Sequence, residues 1–440
     1  MAHAFTDRWG SPVFSGGPQA VDLLDDAVEQ LVSLRGDPMA LADDATARDP
    51  ELVLARVLQG YLALYAGSAS GLRRAKALVG DLDPWELETG ERELLHVLAV
   101  QSWADGEWER AASLLERALL HESRDLLALK VAQDLYFFIG NQQGLRDVVE
   151  RVLDAWPSDR PGYGYVCGMY AFGLEENGQY DAAGKQARKA LELNPGDVWA
   201  VHAQAHIFEM QGAQRLGVEF LDRSVEDWSS SYFATHNWWH RALYHLELRE
   251  VDEALALYDG PVRDTRSSEW LDVDDAASLL WRLHLFGVDI GDRARTLLED
   301  VEGLLDDPVS VFNDWHAVMI AGLAGAPDVC EQRILLNRSA SHGTNRRAID
   351  AAGLQLLVGF AAFAEGDATH ALLRLADVES KSHVVGGSHA QRDVIDLTLI
   401  AAAARSGDVS RAEALLVARA ARKPTAKAAG LELIRTNSHW

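Results

Sequence analysis

The feature that most constrains this chain is a turn residue that keeps returning. Glycine stands at 106, 140, 178, 212, 287, 325, 366 and 407, with Arg249 where one glycine is missing, and the steps are 34, 38, 34, 37, 38, 38, 41 and 41 residues. Each position separates two apolar helical stripes, and glycine just past a helix end adopts the left-handed conformation without a Cβ clash. A recurrence of this length marks a unit of two helices stacked on its own copies. Two copies show it most plainly. ADGEWERAASLLERAL (104–119) and ENGQYDAAGKQARKALELNP (176–195) each follow the glycine with an aromatic two residues on, an alanine three after that and another seven further.

These stretches resemble the tetratricopeptide pattern, whose prototype is 34 residues and whose small residues let helices approach closely. The predicted fold class is therefore all-α, a tetratricopeptide-like α-α superhelix: a solenoid of about nine helical hairpins. Residues 1–87 read as non-repeat or degenerate helices, 88–422 as repeats, and 423–440 as a tail after Lys423-Pro424-Thr425 that is ordered in part, the whole forming one continuous unit. Ala326 to Thr344 fits the pattern least well. Upstream, Val21, Leu24, Val28 and Leu31 make one stripe, Glu51 to Ala66 a second opened by Asp49-Pro50, and Leu72 to Val79 a third.

Composition excludes several classes of function. With 41 basic against 67 acidic residues the net charge is −26, which argues against nucleic acid and anionic membranes as partners. The two cysteines, Cys167 and Cys330, lie in apolar helical patterns and can build neither a disulfide framework nor a cysteine zinc site. Neither has a cationic neighbour in sequence that would favour a thiolate. The N-terminal stretch MAHAFTDRWGSPVFSGG lacks the apolar core of a secretory signal, and no run of about 18 apolar residues is found, so a cytoplasmic protein is expected. Phosphate loops, dinucleotide fingerprints and the G-x-S-x-G elbow are absent.

Longer matches narrow the resemblance. HAQAHIFEMQG (202–212), THNWWHRALYHLE (235–247), DVDDAASLLWRL (272–283), FNDWHAVM (312–319) and GGSHAQRDV (386–394), with RGDP (35–38), are similar to the tetratricopeptide-repeat protein 38 family and follow its order over most of the chain. His389 stands where some members carry Asn, and Arg249 replaces the usual turn glycine. The resemblance implies an all-helical repeat fold and no settled activity. An array of this class completes about one superhelical turn, which can close its groove into a cavity.

Numbering each repeat so that the turn is position 15 puts the groove at positions 2, 5 and 9 of the first helix, as is typical of the class. His202 and His206 then take positions 5 and 9 of one repeat, and His236 and Trp239 take 2 and 5 of the next. Asp274 and Trp281 follow, then Phe312 and Trp315. A groove of His, Trp, Asp and Phe is unlike a basic peptide clamp and suits a small organic molecule. Trp238, Ala242 and His245 read as repeat packing, and His240 falls between the two roles.

Two HxxxH pairs, His202/His206 and His236/His240, sit on successive first helices, each pair on one helix face. They can form a histidine-bound divalent metal centre with Asp275 or Asp314 as carboxylate ligand, although the metalloprotease glutamate is missing and no cofactor is the default. Without a metal, a histidine among the tryptophans with Asp272, Asp275 or Asp314 beside it could act in acid–base chemistry. The candidate catalytic set is His202, His206, His236, His240, His316, Asp275 and Asp314, and the ligand-binding set is Trp239, Trp281, Arg282, Trp315, His389 and Arg392. Arg282 and Arg392 lie in apolar stretches, where pairing with a carboxylate ranks ahead of holding a substrate carboxylate. Asp314 after Phe312-Asn313 also reads as a helix cap. The leading function is a small-molecule-binding protein, an enzyme where the histidines and aspartates carry acid–base or metal-assisted chemistry; the rival is a non-catalytic scaffold for a peptide or protein partner in the groove. A homodimer through an end repeat fits either.

Overall fold

The turns organise the architecture. A computed structural model describes all residues except 1–2, 85–88, 306–307, 340–341, 425 and 439–440. All nine turn positions adopt positive φ, from 64° at Arg249 to 85° at Gly366. The hydrogen bonds there close the helix ends in the Schellman manner. Gly106 N–H donates to Trp103 O (2.9 Å) and Glu107 N–H to Ser102 O (2.9 Å), and Arg249 and Glu250 repeat this on Leu246 O (3.0 Å) and His245 O (2.8 Å).

The chain forms two compact units, residues 1–204 with 226–233, and residues 205–225 with 234–440. The first opens with an antiparallel hairpin, β1 (His3–Thr6) and β2 (Pro12–Ser15), in register Phe5↔Val13. Strands this short carry too few alternations to be seen in the sequence. Helix pairs follow: α1 (Pro18–Ser33) on α2 (Pro38–Arg48), α3 (Val53–Tyr65) on α4 (Ala69–Val79), and α5 (Glu91–Ala104) on α6 (Trp108–His121). Then come α7 (Leu126–Phe138) on α8 (Gln142–Glu150) and α9 (Tyr163–Glu176) on α10 (Tyr180–Leu193). Leu34 and Gly67, at φ 58° each, end α1 and α3, so the helix-pair pattern extends into the first 87 residues. The boundary expected at 87/88 lies outside the described residues.

Helix α11 (Val198–Met210) passes from the first unit into the second, and α12 (Gln214–Arg223) and α13 (Val225–Trp228) follow. The second unit pairs α14 (Ala234–Glu247) with α15 (Val251–Leu257), α16 (Trp270–Leu285) with α17 (Arg293–Asp300), and α18 (Val311–Leu323) with α19 (Pro327–Ser339). Helix α20 (Gly343–Ala348) runs through a π-helical turn (Ile349–Gly353) into α21 (Leu354–Ala364), which pairs with α22 (Ala368–Ala376). The last group is α23 (His389–Arg405), α24 (Val409–Arg422) and α25 (Ala426–Asn437). The tail therefore carries a helix, and Asn437 Nδ2 donates to Leu285 O (2.9 Å). Helix Gly343–Ala364 is long and apolar enough to cross a membrane by length and composition, a run the sequence reading did not register. It packs on α18, α19 and α22, with most of its apolar window buried, as a core helix does.

Local signals explain the starts. Asp37 caps α2 through Ala40 N–H (3.0 Å) with Pro38 next to it, and Ser388 and Gln391 form a reciprocal capping box on α23. In the first unit a buried polar knot joins three elements. Arg92 donates to both Asp125 carboxylate oxygens (2.7 and 3.1 Å), to Pro12 O (2.9 Å) and towards Asp7 (2.9 Å). His96 completes it, with Nε2 on Asp125 (2.9 Å) and Nδ1 beside Tyr61 OH (3.1 Å).

Candidate buried imidazole site

The second unit gathers three histidines. His206 on α11 and His236 and His240 on α14 each offer one ring nitrogen, and these nitrogens lie within 4.8 Å of one another. The rings meet edge-on: His206 and His240 have centroids 4.4 Å apart at 62°, His236 and His240 4.9 Å apart at 89°. All three are buried. The i,i+4 spacing brings His236 and His240 onto one face of α14, as the sequence implies.

Carboxylates hold two of the rings from behind. His236 Nδ1 lies 2.9 Å from both oxygens of Asp275 on α16, and His240 Nδ1 lies 3.1 Å from Glu209 Oε2 on α11. Burial raises the Asp275 carboxyl above its ordinary range, an effect His236 partly offsets. Burial, reinforced by the neighbouring His206 and His236, holds His240 well below the usual imidazole range, so its ring is neutral. Trp239 stacks on His236 at 5.1 Å and 19°, fully buried.

Arg282 lies across this group. Its guanidinium sits 5.4 Å from the Trp239 ring centre and donates to Ala390 O (2.8 Å), Gln391 O (3.4 Å), Ser278 O (3.2 Å) and the Ser278 hydroxyl. Pairing with a carboxylate was the favoured expectation, yet among the described residues none lies within ion-pair distance of it. Burial pushes its pKa down to about 10, while its charge acts on Asp275, His240 and His316.

A second buried network, not anticipated from sequence, supports Glu209. Lys423 Nζ donates to Glu209 Oε1 (2.9 Å) and approaches Glu247 (3.2 Å), and Arg419 clamps Asp393 through two bonds of 2.6 Å and Glu247 at 2.5 Å. These cations hold the Glu247 and Asp393 carboxyls down against the opposing effect of burial. The only sequence signal was Glu209 one turn after His206; Lys423 was read as the end of the repeats.

His202, one turn before His206 on α11, packs against Phe172 (5.2 Å), Trp199 (4.9 Å) and Phe233 (5.1 Å). Several other candidates fall elsewhere. Asp314 does not cap α18, a task done by Ser310, nor join the imidazoles: Arg333 and Asn337 Nδ2 (2.9 Å) hold its carboxylate. His316 Nδ1 donates to Phe312 O (2.8 Å), with Asp274 3.6 Å away, and burial lowers its pKa to about 3. Trp281 and Trp315 are core residues, packed on Phe360 at 4.9 and 5.3 Å, with Trp281 Nε1 donating to Thr398 (2.9 Å). Arg392 donates to the carbonyls of Gly386 (3.3 Å) and Gly387, and His389 is the half-buried first residue of α23. His245 bonds Glu250 (2.8 Å), and both cysteines are buried, Cys330 with its pKa raised to about 12.

The positions assigned to an open groove are thus mostly interior: His236, Trp239, Asp274, Trp281 and Trp315 are all buried. Helix pairs, positive-φ turns and close packing identify the repeat class. The fold is all-α and of the tetratricopeptide-like helical-repeat kind. No family model matches the chain. Similar solved structures include a human IFIT1 dimer with PPP-AAAA, at 14% identity over 91% of this chain and 94% of that one with a TM-score of 0.43. Yeast Tom70 is similar at 12% identity over 96% of each chain, with a TM-score of 0.35. Nothing about the site is carried over from either.

Proposed function

We propose that this chain is a relative of the tetratricopeptide-repeat protein 38 family that binds a small organic anion in its second unit. The site comprises Arg282, Trp239 and the imidazoles of His206, His236 and His240. The observation that carries this reading is Arg282, a buried guanidinium with carbonyl and hydroxyl partners where a carboxylate would neutralise it. Burial costs this guanidinium more than the charges of Asp393, Glu209 and Glu247 return, and an anionic ligand offsets that cost. Trp239 supplies a flat apolar surface, and its buried Nε1 has no hydrogen-bond partner among the described residues. Buried donors in that condition commonly meet a water or ligand. Any turnover then takes place at the imidazoles, with Asp275 and Glu209 orienting the rings.

A peptide scaffold would need these side chains on an open face, whereas they are interior. The test is a thermal-shift series with short aliphatic and aromatic monocarboxylates on wild type and R282Q. A binder at one hundred times its Kd stabilises the native state by about 2.7 kcal/mol, a shift expected in wild type and absent in R282Q. Equal shifts in both proteins, or none across the series, would refute the reading.

A further inference from the structure

We propose that His206, His236 and His240 are ligands of a divalent transition-metal ion of the zinc class. The inference goes beyond anion binding at Arg282 and does not depend on it.

The geometry comes first. Zinc bound to imidazole at about 2.1 Å in tetrahedral array sets its ligand nitrogens roughly 3.4 Å apart. The three nitrogens within 4.8 Å of one another need only small ring rotations to reach that spacing. The His206–His240 and His236–His240 ring pairs meet edge-on rather than stacking face to face.

The groups behind the rings provide a second, independent observation. A metal-bound histidine characteristically gives its other ring N–H to a carboxylate, which fixes the tautomer and makes the ligating nitrogen more basic. His236 and His240 both have Nδ1 on a carboxylate, Asp275 and Glu209, so Nε2 is the lone-pair nitrogen of each. Glu209 is itself fixed by Lys423. Tightly packed histidines require no such pair of carboxylates. The donor set is also selective: three imidazoles without a thiolate favour zinc, cobalt, nickel or copper over magnesium or calcium.

The test uses the full chain with any affinity tag removed. Protein is equilibrated with zinc or cobalt chloride, desalted and assayed for metal by mass spectrometry. Wild type is expected to retain about one equivalent, as is H245Q, which alters a buried histidine of α14 outside the triad; H206Q and H240Q are expected to retain about a tenth or less. The cobalt form of wild type should show the intense visible bands of a four-coordinate site. Absence of metal from wild type, or full retention in H206Q and H240Q, overturns the proposal. Should either variant fail to fold, the wild-type cobalt spectrum decides: weak six-coordinate bands overturn the assignment, and intense ones uphold it. Loss of the metal would leave the carboxylate shifts through Arg282 unaffected, so the two readings fail separately.

Discussion

Asp197 offers a pH test of the first unit. It caps α11, with Oδ1 accepting from Ala200 N–H at 3.0 Å, while Oδ2 is buried and has no hydrogen-bond partner among the described residues. Burial raises its pKa from 3.8 to about 7, against the smaller opposing effect of the capping N–H groups. Because the folded pKa is raised, the folded state keeps a proton that the unfolded chain has already released. The stabilisation is complete below pH 3.8 and is lost as pH rises to about 7. At 1.36 kcal/mol per unit the whole loss is about 4 kcal/mol, of which about 2 kcal/mol falls between roughly pH 5.5 and 8. D197N keeps the capping oxygen and mimics the protonated acid, so it should lose this slope and become more stable than wild type at the alkaline end. Urea denaturation followed by circular dichroism across this range, taken as the difference between the two proteins, isolates Asp197 from other titrating groups. Parallel slopes would show that Asp197 is ionised in the folded protein at neutral pH and that the reasoning is wrong.

Arg249 holds φ at 64° where its relatives in the array are glycine, and its exposed guanidinium pairs with Glu432 at 2.9 Å. R249G should therefore be more stable than R249A by about 1 kcal/mol in urea denaturation, since both lose the ion pair and only alanine keeps the Cβ strain. The two buried arginines should behave differently in the same assay. R92M leaves Asp125 and Asp7 buried without their cation and is expected to cost about 3–5 kcal/mol. R282M strands only carbonyls and a hydroxyl and is expected to cost about 1–3 kcal/mol; equal losses would contradict the contrast drawn between them.

The fold was legible because its determinants are local. Turn glycines, the aromatic and alanines that follow them, and caps such as Asp37 and Ser388 act within a few residues, and periodicity exposes them. Arg249 could be placed only because the spacing demanded a turn there; composition alone would have hidden it. The His236–Asp275 neighbourhood was also accessible, since adjacent first helices bring equivalent faces together. Three things were not legible. Trp281 and Trp315 occupy groove positions by count, but Phe360 of α21 packs against both and makes them core. Asp314 is held by Arg333 of the second helix of its own pair, a contact that position numbers on first helices do not capture. Lys423 reaches Glu209 across 214 residues, and no local pattern encodes a contact of that separation.

Burial alone does not separate a functional polar cluster from a structural one; the way its charges are met does. Arg92 and Arg282 are both buried arginines with four acceptors apiece, so desolvation acts on both. Arg92 faces two carboxylates, one of them bidentate, and burial is outweighed: its pKa is raised. That knot ties a strand hairpin, a helix cap and His96 into one element of the fold, and its charges are balanced without any ligand. Arg282 meets only neutral partners, and its pKa falls to about 10. The same contrast runs through the histidines. His96 is sandwiched between Tyr61 and Asp125 and has both nitrogens engaged. His236 and His240 are engaged at Nδ1 by carboxylates, and each offers a ring nitrogen within 4.8 Å of one on His206. A core selected for stability alone would replace such a group with apolar side chains of similar volume, often at a gain. A buried cation whose hydrogen-bond acceptors are all neutral, beside three clustered imidazoles, is the arrangement expected where a ligand arrives from outside the chain.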